Sequence, residues 1–235
     1  MGTIIETDGD FGLLPYGLLL PVPGAVNWHD IGSTSAASAH NKADPLAPAA
    51  IVGSPTFSAA AGQFSLGNAM STGRSDTANM TLFAVCRSSA SGQVRRVITN
   101  YTDPPVHGCG FNISSAANEL IAYSANTGGT ATGARVAVTN PSNWFLAVMR
   151  VTEGLGTRLW NKTEGTTGGH SSTGPRVLAP GAAMRIGSSP TGGPSSAGAI
   201  EVAFAAVYES ALSEGQIDAV TEFIRYSMSL KGITV

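Results

Sequence analysis

Charge is scarce in this chain: Asp, Glu, Lys and Arg together make up 12% of its 235 residues, about half the share of an ordinary soluble domain. The 13 basic residues are outnumbered by 15 acidic ones, the formal net charge is -2, and no basic cluster extends beyond Arg95-Arg96. Neutralising a phosphate backbone takes a stripe of Lys and Arg, so nucleic-acid binding is set aside. Disorder driven by net charge is set aside for the same shortage. Cysteine is scarcer still. Cys86 and Cys109 leave room for one bridge at most, which excludes the disulfide framework that holds small secreted domains together. A secretion signal is lacking too: Met1 to Asp8 carries acids where a signal would carry Lys or Arg, and the apolar stretch from Leu13 to Val26 is broken by Pro15, Pro21 and Pro23. That stretch is neither a signal peptide nor a membrane span. The expectation is a protein made in a cytoplasm, with no membrane insertion.

In place of charge the chain has 29 Gly, 13 Pro and abundant Ala, Ser and Thr, which give a neutral-polar surface. Hydrophobic side chains make up 43% of the residues, enough for a sizeable core at this length. Up to about residue 210, short apolar runs are separated by Gly, Pro, Ser and Asn clusters, at the spacing of β-sandwiches and barrels. Strands are predicted over Thr81–Arg87, Val94–Tyr101, Glu119–Tyr123, Arg135–Thr139 and Trp144–Val151. Several of these are apolar on both faces, as expected of strands lying between two layers. Arg158–Asn161 leads into a hairpin tip at Lys162–Gly165, and Met184–Gly187 is a further short strand stopped by Ser188-Ser189-Pro190. Ile200, Val202, Phe204, Ala206 and Tyr208 alternate onto one face, with Ala203, Ala205 and Val207 on the other, which marks a central strand. Ser213 stands three residues before Gln216 in a capping-box arrangement. Ile217, Val220, Ile224 and Met228 then recur at helical spacing with Phe223 beside them. A short amphipathic helix therefore closes the chain, with Gly232 where a left-handed cap is wanted and Ile233 placed to pack back on the last turn.

The stretch from Glu201 through Ile224 resembles the closing signature of concanavalin A-like, laminin-G-like jelly rolls, in which a core strand ends in a Tyr-x-x-Ala-Leu-Ser turn and a small helix. Here that turn is Tyr208-Glu209-Ser210-Ala211-Leu212-Ser213. Gln63–Asn68 ahead of Met70-Ser71-Thr72-Gly73, the strands Leu82–Arg87 and Trp144–Val151, the Leu159-Trp160-Asn161 hairpin and Met184–Gly187 extend the resemblance, in order, over roughly residues 50 to 233. It implies an all-β fold, a concanavalin A-like jelly-roll sandwich of two antiparallel sheets, with a short C-terminal helix sealing the interior. Loops at one rim or on the concave face are then available to glycans or protein partners. Residues 50–235 make up the sandwich. Residues 1–49 read as an N-terminal strand and loop segment of the same domain, with Asn27-Trp28-His29-Asp30 as a first strand and Ser33–Pro48 as a surface loop.

Fold alone carries no function. Retaining glycosidases hold two carboxylates about 5–5.5 Å apart on one face. The nearest acid pairs here, Asp8 with Asp10 and Glu201 with Glu209, lie in an N-terminal turn and at either end of a packed strand, so no enzyme is expected. Gly169–Gly174 has the outline of a nucleophile elbow with its second glycine displaced, and reads as a loop. His107-Gly108-Cys109 offers two metal ligands without the second pair a zinc site needs. Thr7–Gly12 lacks the distal Glu of an EF-hand loop. No cofactor is called for, although the resemblance leaves room for a single calcium ion on rim loops. Sugar recognition needs an aromatic face with Asp, Asn or His nearby to bond hydroxyls. Trp160 with Asn161, and Tyr101 with Asp103 and His107, have that composition near predicted loops, while Trp28 and Trp144 are assigned to the core.

A lectin-like sandwich with few cysteines and an uncharged surface suits a protein assembled inside a bacterium and released with a particle. The expectation is a bacteriophage virion structural protein, in a tail, baseplate, fibre or capsid decoration, acting in assembly or host-surface attachment. Its partners are other virion proteins, copies of itself and host surface glycan. Neutral surfaces approach one another at little desolvation cost, which favours a symmetric oligomer. A free carbohydrate-binding module or lectin is the alternative, and a polysaccharide-cleaving enzyme stands behind both.

Overall fold

The computed structural model describes residues 20–89, 92–102, 107–115, 118–127, 132–172, 174–191 and 196–235. In chain order its elements are β1 (Ala25–Asp30), α1 (Ser35–Ala39), β2 (Ala50–Val52), β3 (Thr56–Phe57), β4 (Gly62–Phe64), β5 (Ala69–Ser71), β6 (Met80–Arg87), β7 (Arg95–Thr99), β8 (Cys109–Ile113), β9 (Glu119–Ser124), β10 (Thr132–Ala137), β11 (Phe145–Thr152), β12 (Gly156–Asn161), β13 (Thr166–His170), β14 (Arg185–Ile186), β15 (Ile200–Tyr208) and α2 (Glu214–Ser229). They form two antiparallel sheets. Sheet A runs β13-β12-β11-β6-β15-β4-β3, with β1 also on β15, and sheet B runs β10-β9-β8-β7-β14-β5-β2. β15 is central, as its two apolar faces predict: β6 occupies one edge, while β4 and β1 share the other end to end.

The space between the sheets is filled by Met80, Leu82, Ala84 and Cys86 of β6 and Ala147, Met149 and Val151 of β11, against Ile98, Phe111, Ile113, Leu120 and Val136 of sheet B. At one side the two sheets close edge to edge. A Cβ on Gly168 of β13 would lie 2.1 Å from the Arg135 carbonyl oxygen of β10, so the bare Gly168 is what lets the backbones approach. Both cysteines sit in this core as free thiols, and burial pushes each thiol pKa upward. No bridge joins them.

Two expectations about the C-terminal elements are corrected. The register of β15 against β6 shifts between Val202 and Phe204. The extra residue inverts the alternation beyond it, so Ile200, Val202, Ala205 and Val207 face the inter-sheet core while Ala203, Phe204, Ala206 and Tyr208 face the other way. The five residues predicted to share one face are therefore split between two cores. The helix, in turn, does not seal the space between the sheets. It lies on the outer side of sheet A, where Ile217, Val220, Ile224 and Met228 pack with Phe83, Val85, Leu146, Val148, Phe204 and Tyr208 in a second core. Burying each large apolar side chain contributes roughly 1.5–3 kcal/mol.

The helix ends follow the sequence. Ser213 Oγ accepts from the Gln216 amide (3.3 Å) and Gln216 Oε1 accepts from the Ser213 amide (2.9 Å). Gly232 has φ +71 and the Ile233 amide donates to the Met228 carbonyl at 3.0 Å. Ser213→Ala is expected to lower stability by about 1 kcal/mol, read as a shift in the urea midpoint with an unchanged slope. The region expected to be a surface loop, 33–48, is more ordered than that. It holds α1 and a buried Asn41 whose amide accepts from Trp28 N and Ala43 N and donates to Val26 O and Ala47 O. Lys231 binds the carbonyls of Ile31 (2.9 Å) and Ala203 (3.2 Å) and pairs with Asp30, tying the end of α2 to β1. Among the described residues no helix is long and apolar enough to cross a membrane.

Candidate functional site

The two aromatic groups singled out by composition have different fates. Trp160 is only 8% exposed and belongs to the second core. Its ring is flanked by the Arg150 guanidinium at 5.3 Å and the Lys162 ammonium at 5.7 Å. Asn161 is fully buried, on the opposite face of β12, and its Oδ1 accepts from the Glu164 amide at 3.3 Å. Because successive strand residues point to opposite faces, Trp160 and Asn161 do not form one ligand-facing pair. Tyr101 and His107, by contrast, sit at the end of the β7–β8 hairpin. There the backbones of Thr102 and His107 exchange hydrogen bonds of 3.0 and 3.2 Å. Asp103 lies outside the described residues, as do Asp8, Asp10 and the rest of Thr7–Gly12.

Tyr101 acquires its partner through sheet register. On the side of sheet B turned away from the core, Tyr123 of β9 stands between Gly110 of β8 and Gly133 of β10. With no side chain on either neighbour, the Tyr123 ring lies over bare backbone; a Cβ on Gly133 would come within 3.5 Å of it. The Tyr101 ring settles beside it, with centroids 5.6 Å apart and planes inclined by 31°. One step along the same face, Arg96 stands opposite Asn112. The Arg96 guanidinium lies 5.9 Å from the Tyr101 centroid and donates to Asn112 Oδ1 (3.4 Å) and Ser196 Oγ (3.2 Å). Asn112 is 1% exposed, and its Nδ2 has no hydrogen-bond partner among the described residues. Such an orphan buried donor carries a desolvation penalty of about 1–3 kcal/mol that an acceptor would relieve.

The group therefore combines two half-buried phenol rings, a guanidinium held in a fixed plane and an amide with an unused donor. Aromatic faces suit the C–H side of a sugar ring, and the guanidinium and amide suit its hydroxyl oxygens. Tyr123, Arg96 and Asn112 were missed in the sequence because they are recruited by pairing across β7, β8 and β9. The alternation Glu119, Ile121, Tyr123 is the one local signal of an outer face. Among the described residues no three His, Cys, Asp or Glu side chains come together to hold a metal ion.

No protein-family model matches the chain, and no curated protein matches it in sequence. Solved structures do match in shape. The binding domain of Paraclostridial Mosquitocidal Protein 1 superposes with a TM-score of 0.60 at 11% identity, over 86% of this chain and 52% of that one. The botulinum neurotoxin serotype D binding domain gives 0.61 at 10% identity, over 85% and 50%. A Trypanosoma rangeli sialidase in complex with a difluorinated nononic acid gives 0.64 at 10% identity, over 89% and 34%. The fold is a concanavalin A-like sandwich. At these identities the likeness is one of architecture alone. The chain spans about half the length of the toxin binding domains and about a third of the sialidase.

Proposed function

We propose that this concanavalin A-like sandwich is a non-catalytic, glycan-binding module and that the Tyr101–Tyr123 face of sheet B, with Arg96 and Asn112, receives the sugar. The observation that carries the reading is the buried, unpartnered Asn112 Nδ2 next to a guanidinium and two half-buried tyrosine rings. The likeness to toxin binding domains supports it at the level of fold. A binding role is favoured over a hydrolytic one by the state of the acid on the same strand as Tyr123: Glu119 is paired with Arg135 at 2.9 Å. The sparse charge of the chain favours a particle setting, in which the module sits in a virion among copies of itself and other virion proteins and attaches to host surface glycan.

A glycan array followed by calorimetric titration of the best sugar tests the site. Tyr123→Ala, with its melting temperature checked alongside, is expected to weaken binding at least about tenfold, or ~1.4 kcal/mol. Asn112→Asp, which replaces the orphan donor by an acceptor, is expected to do the same. A blank array combined with concentration-dependent self-assembly would instead favour a purely structural role in the particle.

A further inference from the structure

A separate cleft lies at the end of sheet A. It has a volume of about 500 Å³ and is walled by Arg87, Asn140, Asn143, Trp144 and Glu164, with Thr234 near the chain end. That volume falls within the range of small-molecule sites. Trp144 precedes the first residue of β11 and so escapes the strand alternation: it is half-buried, packed on the second core on one side. The Arg87 guanidinium stacks on its ring 4.5 Å from the centroid and is held there by Glu201 at 2.9 Å. Opposite this wall, the 139–143 turn is fixed from three directions. Glu164 takes both the Thr139 amide (2.9 Å) and hydroxyl (3.0 Å), Asn140 Oδ1 accepts from the Ser142 amide (3.0 Å), and the Ser88 amide donates to the Pro141 carbonyl (2.6 Å). Asn140 Nδ2 and the whole side-chain amide of Asn143 belong to exposed residues and have no partner among the described residues.

We infer that this cleft is a second carbohydrate site, for a short neutral oligosaccharide, which makes the module bivalent. The chemistry of the wall selects the class. The one cation is already matched by Glu201, and Glu164 lies on the far side, so an anionic ligand gains nothing from the cleft's net charge. An uncharged hydroxylated ring can instead lie along the indole–guanidinium stack while Asn140 Nδ2, the Asn143 side-chain amide and Arg87 bond its hydroxyls. The cleft shares no residue with the tyrosine face and is tested apart from it, while the bivalency rests on the function proposed above. Bivalency of this kind raises avidity on a repetitive glycan surface without any new contact.

Fluorescence provides the test, because Trp28 and Trp160 are buried and Trp144 alone borders this cleft. Maltohexaose, cellohexaose and N-acetylated chitohexaose are titrated into the protein to millimolar concentration. At least one is expected to give a saturable change in tryptophan emission. Asn143→Ala, a surface change that keeps the reporter and leaves the fold untouched, is expected to weaken that response at least about tenfold. Trp144→Phe followed by calorimetry is expected to weaken binding similarly, and Tyr123→Ala is expected to leave the tryptophan emission response, which reads this cleft alone, unchanged. A flat titration with all three sugars, or a response that persists in Asn143→Ala, overturns the assignment. Loss of the response in Tyr123→Ala overturns it too, by placing the sugar on the other face.

Discussion

Asp76→Ala is expected to destabilise the protein by about 3–5 kcal/mol, the range for breaking a buried ion pair from one side. For a chain of this length that corresponds to a fall in melting temperature of roughly 10 °C. Asp76 and Arg176 have side chains with no solvent exposure and meet at 2.6 Å. Both ends of the pair are further committed. Asp76 Oδ1 accepts from Asn100 Nδ2 (2.7 Å) and from the Ala179 amide (3.0 Å), and Arg176 Nη1 donates to the Thr77 carbonyl (2.8 Å). Asn100 passes the connection on, its Oδ1 accepting from the Cys109 amide at 3.0 Å. The network thus pins the segment between β13 and β14 to the start of β6 and to the β7–β8 hairpin that presents Tyr101. Removing the carboxylate strands a guanidinium and two N–H donors in a space closed to solvent. The double replacement Asp76→Leu with Arg176→Met removes the charge and its partner together, and is expected to recover at least half of the loss. Urea denaturation of the three proteins decides the matter: a single variant within about 1 kcal/mol of the parent would show that the pair contributes little.

The distinction between a residue's chemistry and its placement explains what was legible in the sequence. β6, β11 and β15 could be read because a strand buried on both faces must be apolar throughout, a demand written into consecutive residues. The closing helix could be read because its cap, its stripe and its terminal glycine are all local. The bulge in β15 could not, since it depends on how Phe204 finds Val85 across the sheet. β8, as Cys-Gly-Phe-Asn-Ile, and β13, as Thr-Thr-Gly-Gly-His, carry glycines whose reason lies in another strand: Gly110 clears Thr99, and Gly168 clears Arg135. The candidate site follows the same rule. Tyr101 was visible by composition, but Tyr123, Arg96 and Asn112 join it only through the β7–β8–β9 register. Trp160 and Trp144 have equivalent chemistry, yet the first points from mid-strand under the helix while the second sits just outside a strand and borders a cleft.

Acidification from pH 7 to about pH 4 is expected to remove about 3 kcal/mol of stability through His29 alone. This imidazole is fully buried on β1. Its Nδ1–H donates to the Ser38 carbonyl at 3.2 Å, and Nε2 has no partner among the described residues. Burial lowers its pKa from the usual 6.5 to about 4; hydrogen bonds to backbone groups of Ser38 and His40 push it back part of the way, and the nearby His40 side chain adds to the lowering. The sign follows from proton counts. Above pH 6.5 the ring is neutral in both folded and unfolded chains and pH has no effect through it. Between 6.5 and 4 the unfolded chain holds the extra proton, so folding stability falls with pH at up to about 1.4 kcal/mol per unit. Below 4 both states are protonated and the loss is complete. The other three histidines, His40, His107 and His170, are not fully buried. His29→Gln keeps a donor for the Ser38 carbonyl and removes the titration. In chemical denaturation at pH 7 and pH 4.5, the variant is expected to lose about 2–3 kcal/mol less than the parent over that interval. An identical loss in both proteins would mean that the acid sensitivity arises elsewhere in the chain and that His29 is protonated without penalty.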